Sequence, residues 1–212
     1  MDFMKLVPTP SEQCVVLGQT GRGKSSWIKK LITPYFGKRQ QIIIDVKHDD
    51  IWDKYGVSVG HPNDLMRLAK DFQKYPSLIY RPEGDLAKDY EAYDDIFSWI
   101  YDRWHTLVVV DETSAIVKNA IDVGRGLNDI TTRGRKREIT RIFGSQRPTG
   151  CPRVIFSESS KFFVKAIIDK RDRDTVAGFS DERMKEPIED TYGMKYCDTK
   201  TGFYTYFPKV PL

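Results

Sequence analysis

Short unbroken apolar runs recur along this chain, separated by segments whose apolar residues are spaced for a helix. Cys14 to Leu17, Gln41 to Asp45, Ser77 to Arg81, Thr106 to Val110, Ile139 to Gln146 and Phe162 to Ile168 have the length and β-branched content of strands covered on both faces. Ser26 to Ile32, Asn63 to Phe72, Tyr90 to Tyr101, Ala120 to Thr132 and Asp172 to Ala177 read as helices, the third from the spacing of Tyr93, Ile96, Phe97 and Ile100. Tyr196 to Phe207, with Asp198 to Gly202 between aromatic runs, reads as a β-hairpin. Strands alternating with helices predict an α/β fold: a mainly parallel central sheet flanked by helices, with a small C-terminal hairpin. Without an internal repeat or long linker, the expectation is a single domain over 1–212, its core about 13–179 and a C-terminal appendage about 180–212.

Composition changes that picture little. A chain of 212 residues with 40% hydrophobic and 30% charged residues is of globular type and long enough to bury a full core. No run approaches the ~20 apolar residues of a membrane span, and Met1 to Lys5 lacks the apolar stretch of a signal peptide, so a cytoplasmic protein is expected. Cys14, Cys151 and Cys197 are scattered and odd in number, which predicts reduced structural thiols rather than a zinc site or a disulfide framework. A net charge of +4 permits a polyanionic partner without requiring one. Its distribution says more, because Arg133, Arg135, Lys136, Arg137, Arg141 and Arg147 crowd one region.

Leu17 leads into Gly18-Gln19-Thr20-Gly21-Arg22-Gly23-Lys24-Ser25, which meets every fixed position of G-x-x-x-x-G-K-[ST] between a strand and a helix that opens at Ser26. That context defines a phosphate-binding loop. Backbone N–H groups and the helix N-terminus face a polyphosphate, Lys24 reaches the β- and γ-phosphates, and the Ser25 hydroxyl holds Mg²⁺. ATP and Mg²⁺ are therefore the expected ligands. Val108 to Val110 end in Asp111-Glu112, a Walker B pattern in which Asp111 steadies Mg²⁺ and Glu112 acts as general base on water. Two strand-like runs lie between the loop and Asp111, as in P-loop NTPases of the RecA-like, additional-strand, catalytic-glutamate type. The run at 41–45 also places Asp45, Lys47, His48, Asp49 and Asp50 at the sheet edge where ligands gather. No Asn-Lys-x-Asp guanine-reading motif is present, which argues against a GTPase.

Ile44-Asp45-Val46-Lys47 resembles the Ile-Asp-Pro-Lys element of FtsK-type translocases, with Val46 in place of proline. Gly134-Arg135 followed by Phe143-Gly144-Ser145-Gln146-Arg147-Pro148 is similar to that family's arginine-bearing helix end running into an Ala-Thr-Gln-Arg-Pro strand, and Lys170 to Val176 resembles the segment after the next strand. Over about 13–179 the chain thus resembles the HerA/FtsK superfamily of ring-forming DNA pumps. A bare core of this length is most similar to the genome-packaging ATPases of internal-membrane icosahedral viruses, those of archaeal turreted icosahedral viruses above all.

The resemblance implies that Gln146 senses the γ-phosphate and that Arg135, 24 residues after Asp111, is an arginine finger completing a neighbour's site, with Arg173 in reserve. It implies a double-stranded DNA translocase working as a homo-oligomeric, hexameric ring, with capsid or virion-membrane proteins as further partners and retention at a virion vertex. Lys47, His48, Lys118 and Arg125 read equally as DNA-gripping residues or surface charge. Three rival readings stand beside this one: a nucleotide-gated assembly factor that moves no DNA, against which Glu112 speaks; another HerA/FtsK-type DNA pump outside packaging; and a small-molecule kinase, for which no acceptor pocket is evident.

Overall fold

The computed structural model describes residues 2–209; Met1 and residues 210–212, at the ends of the expected domain, lie outside the described residues. In chain order the elements are β1 (Gln13–Leu17), α1 (Lys24–Ile32), β2 (Gln41–Ile44), β3 (Val57–Val59), α2 (Pro62–Leu68), β4 (Ser77–Tyr80) and α3 (Tyr90–Arg103). There follow β5 (Leu107–Val110), α4 (Arg125–Arg133), β6 (Thr140–Ser145), α5 (Arg153–Ser157), β7 (Lys161–Val164), α6 (Lys170–Phe179), β8 (Met194–Asp198) and β9 (Phe203–Phe207).

The strands form one sheet in the order β3-β4-β2-β5-β6-β1-β7-β8-β9. Seven are parallel, and the β8–β9 hairpin extends the same sheet antiparallel beyond β7. Because both faces are covered, alternate residues of one apolar run serve different cores. Val15, Ile42, Val108 and Phe143 pack beneath α2 to α6, whereas Val16, Ile43, Val109 and Ile142 pack beneath α1 with Trp27 and Trp52. Helices do flank both faces, in unequal numbers.

β6 lies between β1 and β5, so the strand entering the phosphate loop and the strand ending in Asp111 are not neighbours. This is the additional-strand arrangement.

The sequence expectations fail in places with identifiable causes. α4 begins at Arg125 rather than Ala120 because the Asn119 carboxamide accepts from the backbone of Ile121 and Asp122, which turns the chain away from a helix. α4 has no side-chain cap of its own; Asp94 on α3 accepts from Leu127 N at 3.0 Å instead. β3 is largely exposed and carries no apolar run to announce it. β7 stops at Val164, where the chain binds the phosphate loop: Lys165 N donates to Leu17 O, and Gln19 N to Ala166 O.

Lys165 is fully buried, and its ammonium has no hydrogen-bond partner among the described residues. Burial lowers its pKa from the usual 10.5 to about 8. Between those values the unfolded chain binds more protons than the folded one, so this residue makes stability rise with pH from 8 to 10.5 and imposes its full penalty below 8. Lys165→Met is expected to stabilise the protein by about 1–3 kcal/mol at pH 7 and to remove that rise. Urea melts at pH 7 and 10 check it; equal stability of parent and variant at both would show that the ammonium is solvated.

All three cysteines are buried free thiols, as expected, and burial pushes Cys14 and Cys151 up to about 12. They are inert at neutral pH.

Candidate nucleotide site

Four parallel strands end at one edge of the sheet, and their first residues beyond the ladder build the site. β1 runs into the loop at Gly18, whose N–H still bonds Ser145 O at 3.1 Å. A Cβ at Gly18 would lie 2.7 Å from Lys165 Cβ, so only glycine lets the loop leave the sheet this close to the end of β7. Gly21 and Gly23 take φ of 75° and 74°, which curls the backbone so that Lys24 opens α1.

Lys24 is buried, and its ammonium contacts Asp111 O and, at 3.1 Å, Asp111 Oδ1. Ser25 Oγ donates to Asp111 Oδ2 at 3.2 Å. One hydroxyl beside one carboxylate is the donor set that suits Mg²⁺, an ion that keeps several waters and relies on substrate phosphates for other ligands. No cluster of three or more His, Cys, Asp or Glu among the described residues could hold a metal ion in an all-protein cage.

Glu112 follows Asp111, is 3% exposed, and is held by four donors. Its Oε1 accepts from Ser114 Oγ at 2.8 Å, Ser145 Oγ at 2.9 Å and Gln146 N at 3.1 Å, while Oε2 pairs with Lys47 Nζ at 2.7 Å. Burial alone would raise the pKa of this carboxyl, but the Lys47 hydrogen bond, the charges of Lys24 and Lys47, and the Gln146 amide together hold it below the usual carboxylate value. Glu112 is thus ionised and fixed in place. Lys47, whose side chain remains 42% exposed, can leave toward solvent and free one oxygen.

Lys47 therefore sits at the candidate nucleotide site, paired with the acid expected to act as base. Its loop is pinned by Arg81, which reaches Asp45 at 2.8 Å, Asp53 at 2.7 Å and Asp49 O at 2.8 Å, and by Lys29 at Ile51 O. His48 turns away to Pro82 O, while Lys118 and Arg125 are exposed. Lys47→Met removes the main influence holding Glu112 down, so the acid limb of the hydrolysis pH profile is expected to move to higher pH. An unmoved limb would mean that another group sets it.

Gln146 directly follows β6, its amide oxygen accepting from Thr20 Oγ1 at 2.9 Å, so the strand end and the loop are linked directly. The Arg147-Pro148 turn behind it is fastened by Asp172 of α6, which accepts from Thr149 N and Oγ1, both at 2.8 Å. Lys24, Ser25, Asp111, Gln146, Lys47 and Tyr192 line one cavity of about 550 Å³ together with Gln19, Thr20, Gly21 and Gly23.

Arg135 is not part of this assembly. It lies on the turn between α4 and β6, at the edge where the parallel strands begin, roughly 17–20 Å across a six-residue strand from Gln146. Its neighbours are committed elsewhere: Arg133 pairs with Asp129, Arg137 pairs with Asp102 and stacks 3.9 Å from the Tyr101 ring, and Arg141 is buried against Gln13. Arg135 itself is exposed and in no ion pair among the described residues. Arg173 is spent on backbone carbonyls of Ile167, Ile168 and Lys185, which gives it a fastening role.

Sequence reasoning missed Ser114, Ser145 and Tyr192. Serine beside a strand end carries no signal of its own, and Tyr192 lies far along the chain from every motif.

No protein-family model matches the chain. The DNA packaging ATPase P9 of Enterobacteria phage PRD1 is 30% identical over 195 residues, covering 89% of this chain and 81% of P9. Among solved structures, the genome packaging NTPase B204 from Sulfolobus turreted icosahedral virus 2 in complex with AMPPCP matches with a TM-score of 0.72 at 16% identity, over 95% of this chain and 99% of B204. VirB4 of Thermoanaerobacter pseudethanolicus matches with a TM-score of 0.67 at 12% identity, over 94% of this chain and 89% of VirB4. The structural likenesses carry the fold, and the sequence likeness carries the kinship: the chain belongs to the family of the phage PRD1 DNA packaging ATPase P9, on an α/β fold shared with B204 and VirB4.

Proposed function

We propose that this ATPase is a translocase of double-stranded DNA that drives a viral genome into a preformed capsid, working as a homo-oligomeric ring, a hexamer. The observation that carries the reading is the placement of Arg135. The acid of the site is fixed by four donors, none of them an arginine, while Arg135, in no ion pair among the described residues, stands exposed at the opposite sheet edge. An exposed guanidinium in that position serves the γ-phosphate of a neighbouring copy, and head-to-tail contacts of this kind close into rings.

In this reading the single domain has its core at about 13–179 and an appendage at about 180–212. The backbone and side chains from Gly18 to Ser26 bind ATP, Lys24 neutralises the phosphates, and Ser25 with Asp111 holds Mg²⁺, which draws charge from the phosphoryl oxygens when bound. Glu112 takes the proton of the attacking water once Lys47 withdraws. Gln146 detects loss of the γ-phosphate and, through β6 and the Asp172-anchored turn, passes it to the subunit surface. Rigid-body shifts then move phosphate-gripping side chains along DNA with little reading of sequence. The protein works in the host cytoplasm and at a virion vertex, against capsid or virion-membrane proteins. No helix among the described residues is long and apolar enough to cross a membrane.

Steady-state ATP hydrolysis with and without long double-stranded DNA tests the proposal. Stimulation by DNA is the expected result. Phosphate release indifferent to DNA would leave a nucleotide-gated assembly factor as the better description.

A further inference from the structure

We infer that Tyr192, carried by the turn that leads into the C-terminal hairpin, is the residue on which the base of the nucleotide stacks. The inference rests on the assignment of the phosphate loop as the ATP site, and sheet order supplies its direction. Lys47 follows β2, Asp111 and Glu112 follow β5, Gln146 follows β6, the phosphate loop follows β1, and β7 and β8 come next. Hydrolysis needs the γ-phosphate beside Glu112, on the β5 side of the loop. The rest of the nucleotide must then extend the other way, over β1 toward β7 and β8.

Tyr192 stands at that end. It precedes β8 by two residues and lines the same cavity as the phosphate loop. Its side chain is 42% exposed, and no other aromatic ring packs on it among the described residues. The other large apolar residue of the cavity, Ile51, follows β2 beside Lys47, at the γ-phosphate end where a base cannot lie. An aromatic face left open on a polar cavity fits a planar base, since every base offers a π-face and stacking needs no hydrogen-bond code.

The turn is built to hold this position. Tyr206 on β9 donates its hydroxyl to Asp190, and Gly193 N bonds Asp190 O at 3.1 Å. Gly193 is buried so tightly that an added Cβ would lie 2.7 Å from the Tyr206 hydroxyl and 2.8 Å from Ile188. The hairpin thus has a task at the site: it anchors the turn that presents Tyr192.

Calorimetric titration with ATP and with inorganic tripolyphosphate, both with Mg²⁺, separates base from phosphate binding. Tyr192→Ala is expected to weaken ATP by ~5- to 100-fold while changing tripolyphosphate affinity less than about twofold. Tyr192→Trp keeps ATP binding, and Tyr206→Phe, which leaves Tyr192 in place but unties its turn, gives a smaller loss of ATP alone. In hydrolysis the Tyr192→Ala defect appears in KM with kcat retained. Unchanged ATP affinity in Tyr192→Ala would overturn the inference, as would a parallel loss of tripolyphosphate. Lys24→Ala is the control for the underlying site: it weakens both ligands, and if both still bind normally the loop assignment fails and the stacking assignment with it.

Discussion

Glu112→Gln is expected to cut ATP hydrolysis by ~10²- to 10⁴-fold while leaving ATP affinity within a few-fold of the parent. The substitution keeps the shape of the side chain, and its carbonyl oxygen can still accept from Ser114, Ser145 and the Gln146 amide. What it removes is the lone pair able to take a proton from water. Lys47 loses its partner but is already 42% exposed, so its ammonium is solvated at little cost in stability. Single-turnover phosphate release measures the chemical step, and calorimetry measures binding. A chemical step within tenfold of the parent would mean that water is activated by some other group.

Arg135→Ala is expected to lower hydrolysis by ~10³-fold or more in the assembled protein, the scale of an arginine that offsets charge on the γ-phosphoryl oxygens. The side chain is exposed and unpaired, so its loss should leave stability within about 0.5 kcal/mol and cannot act by unfolding. ATP affinity of the isolated chain should not change, because Arg135 and the phosphate loop lie at opposite edges of the sheet. Mixing Arg135→Ala with Glu112→Gln tests delivery between copies. In random one-to-one rings, about a quarter of sites combine an intact Glu112 with an intact neighbouring Arg135, so about a quarter of the parent rate returns. No recovery on mixing, with shared rings verified by pull-down, would place the two residues in one site. A rate that survives Arg135→Ala would remove the finger assignment.

Both predictions were legible in the sequence to different depths. Glu112 was found because a Walker B strand is a local pattern, four apolar residues and two acids. Its restraint was not, since Lys47, Ser114, Ser145 and Gln146 come from three loops and a strand end that only folding brings together. Arg135 was singled out by register against a family pattern, yet the reason to prefer it over Arg133, Arg137 and Arg141 is tertiary: each of those already has a partner or a buried place. Lys47, which reads equally as a DNA grip or surface charge, pairs with Glu112, and Arg173, the reserve finger, is bound to backbone carbonyls.

By itself, the sequence determined whatever depends on neighbours within a few residues. Unbroken apolar runs mark strands covered on both faces, glycines at fixed spacing shape a phosphate loop, and the placement of Asp111-Glu112 after Val110 marks a hydrolytic site. Tertiary structure alone decided that β6 separates β1 from β5, that α4 starts five residues later than its pattern suggests under a cap from Asp94, and that Tyr192 reaches the cavity. The physical reason is common to all three. A strand's neighbours, a helix's borrowed cap and a cavity's far wall are contacts between segments distant along the chain, and their energy comes from packing and hydrogen bonds that no local period or spacing encodes.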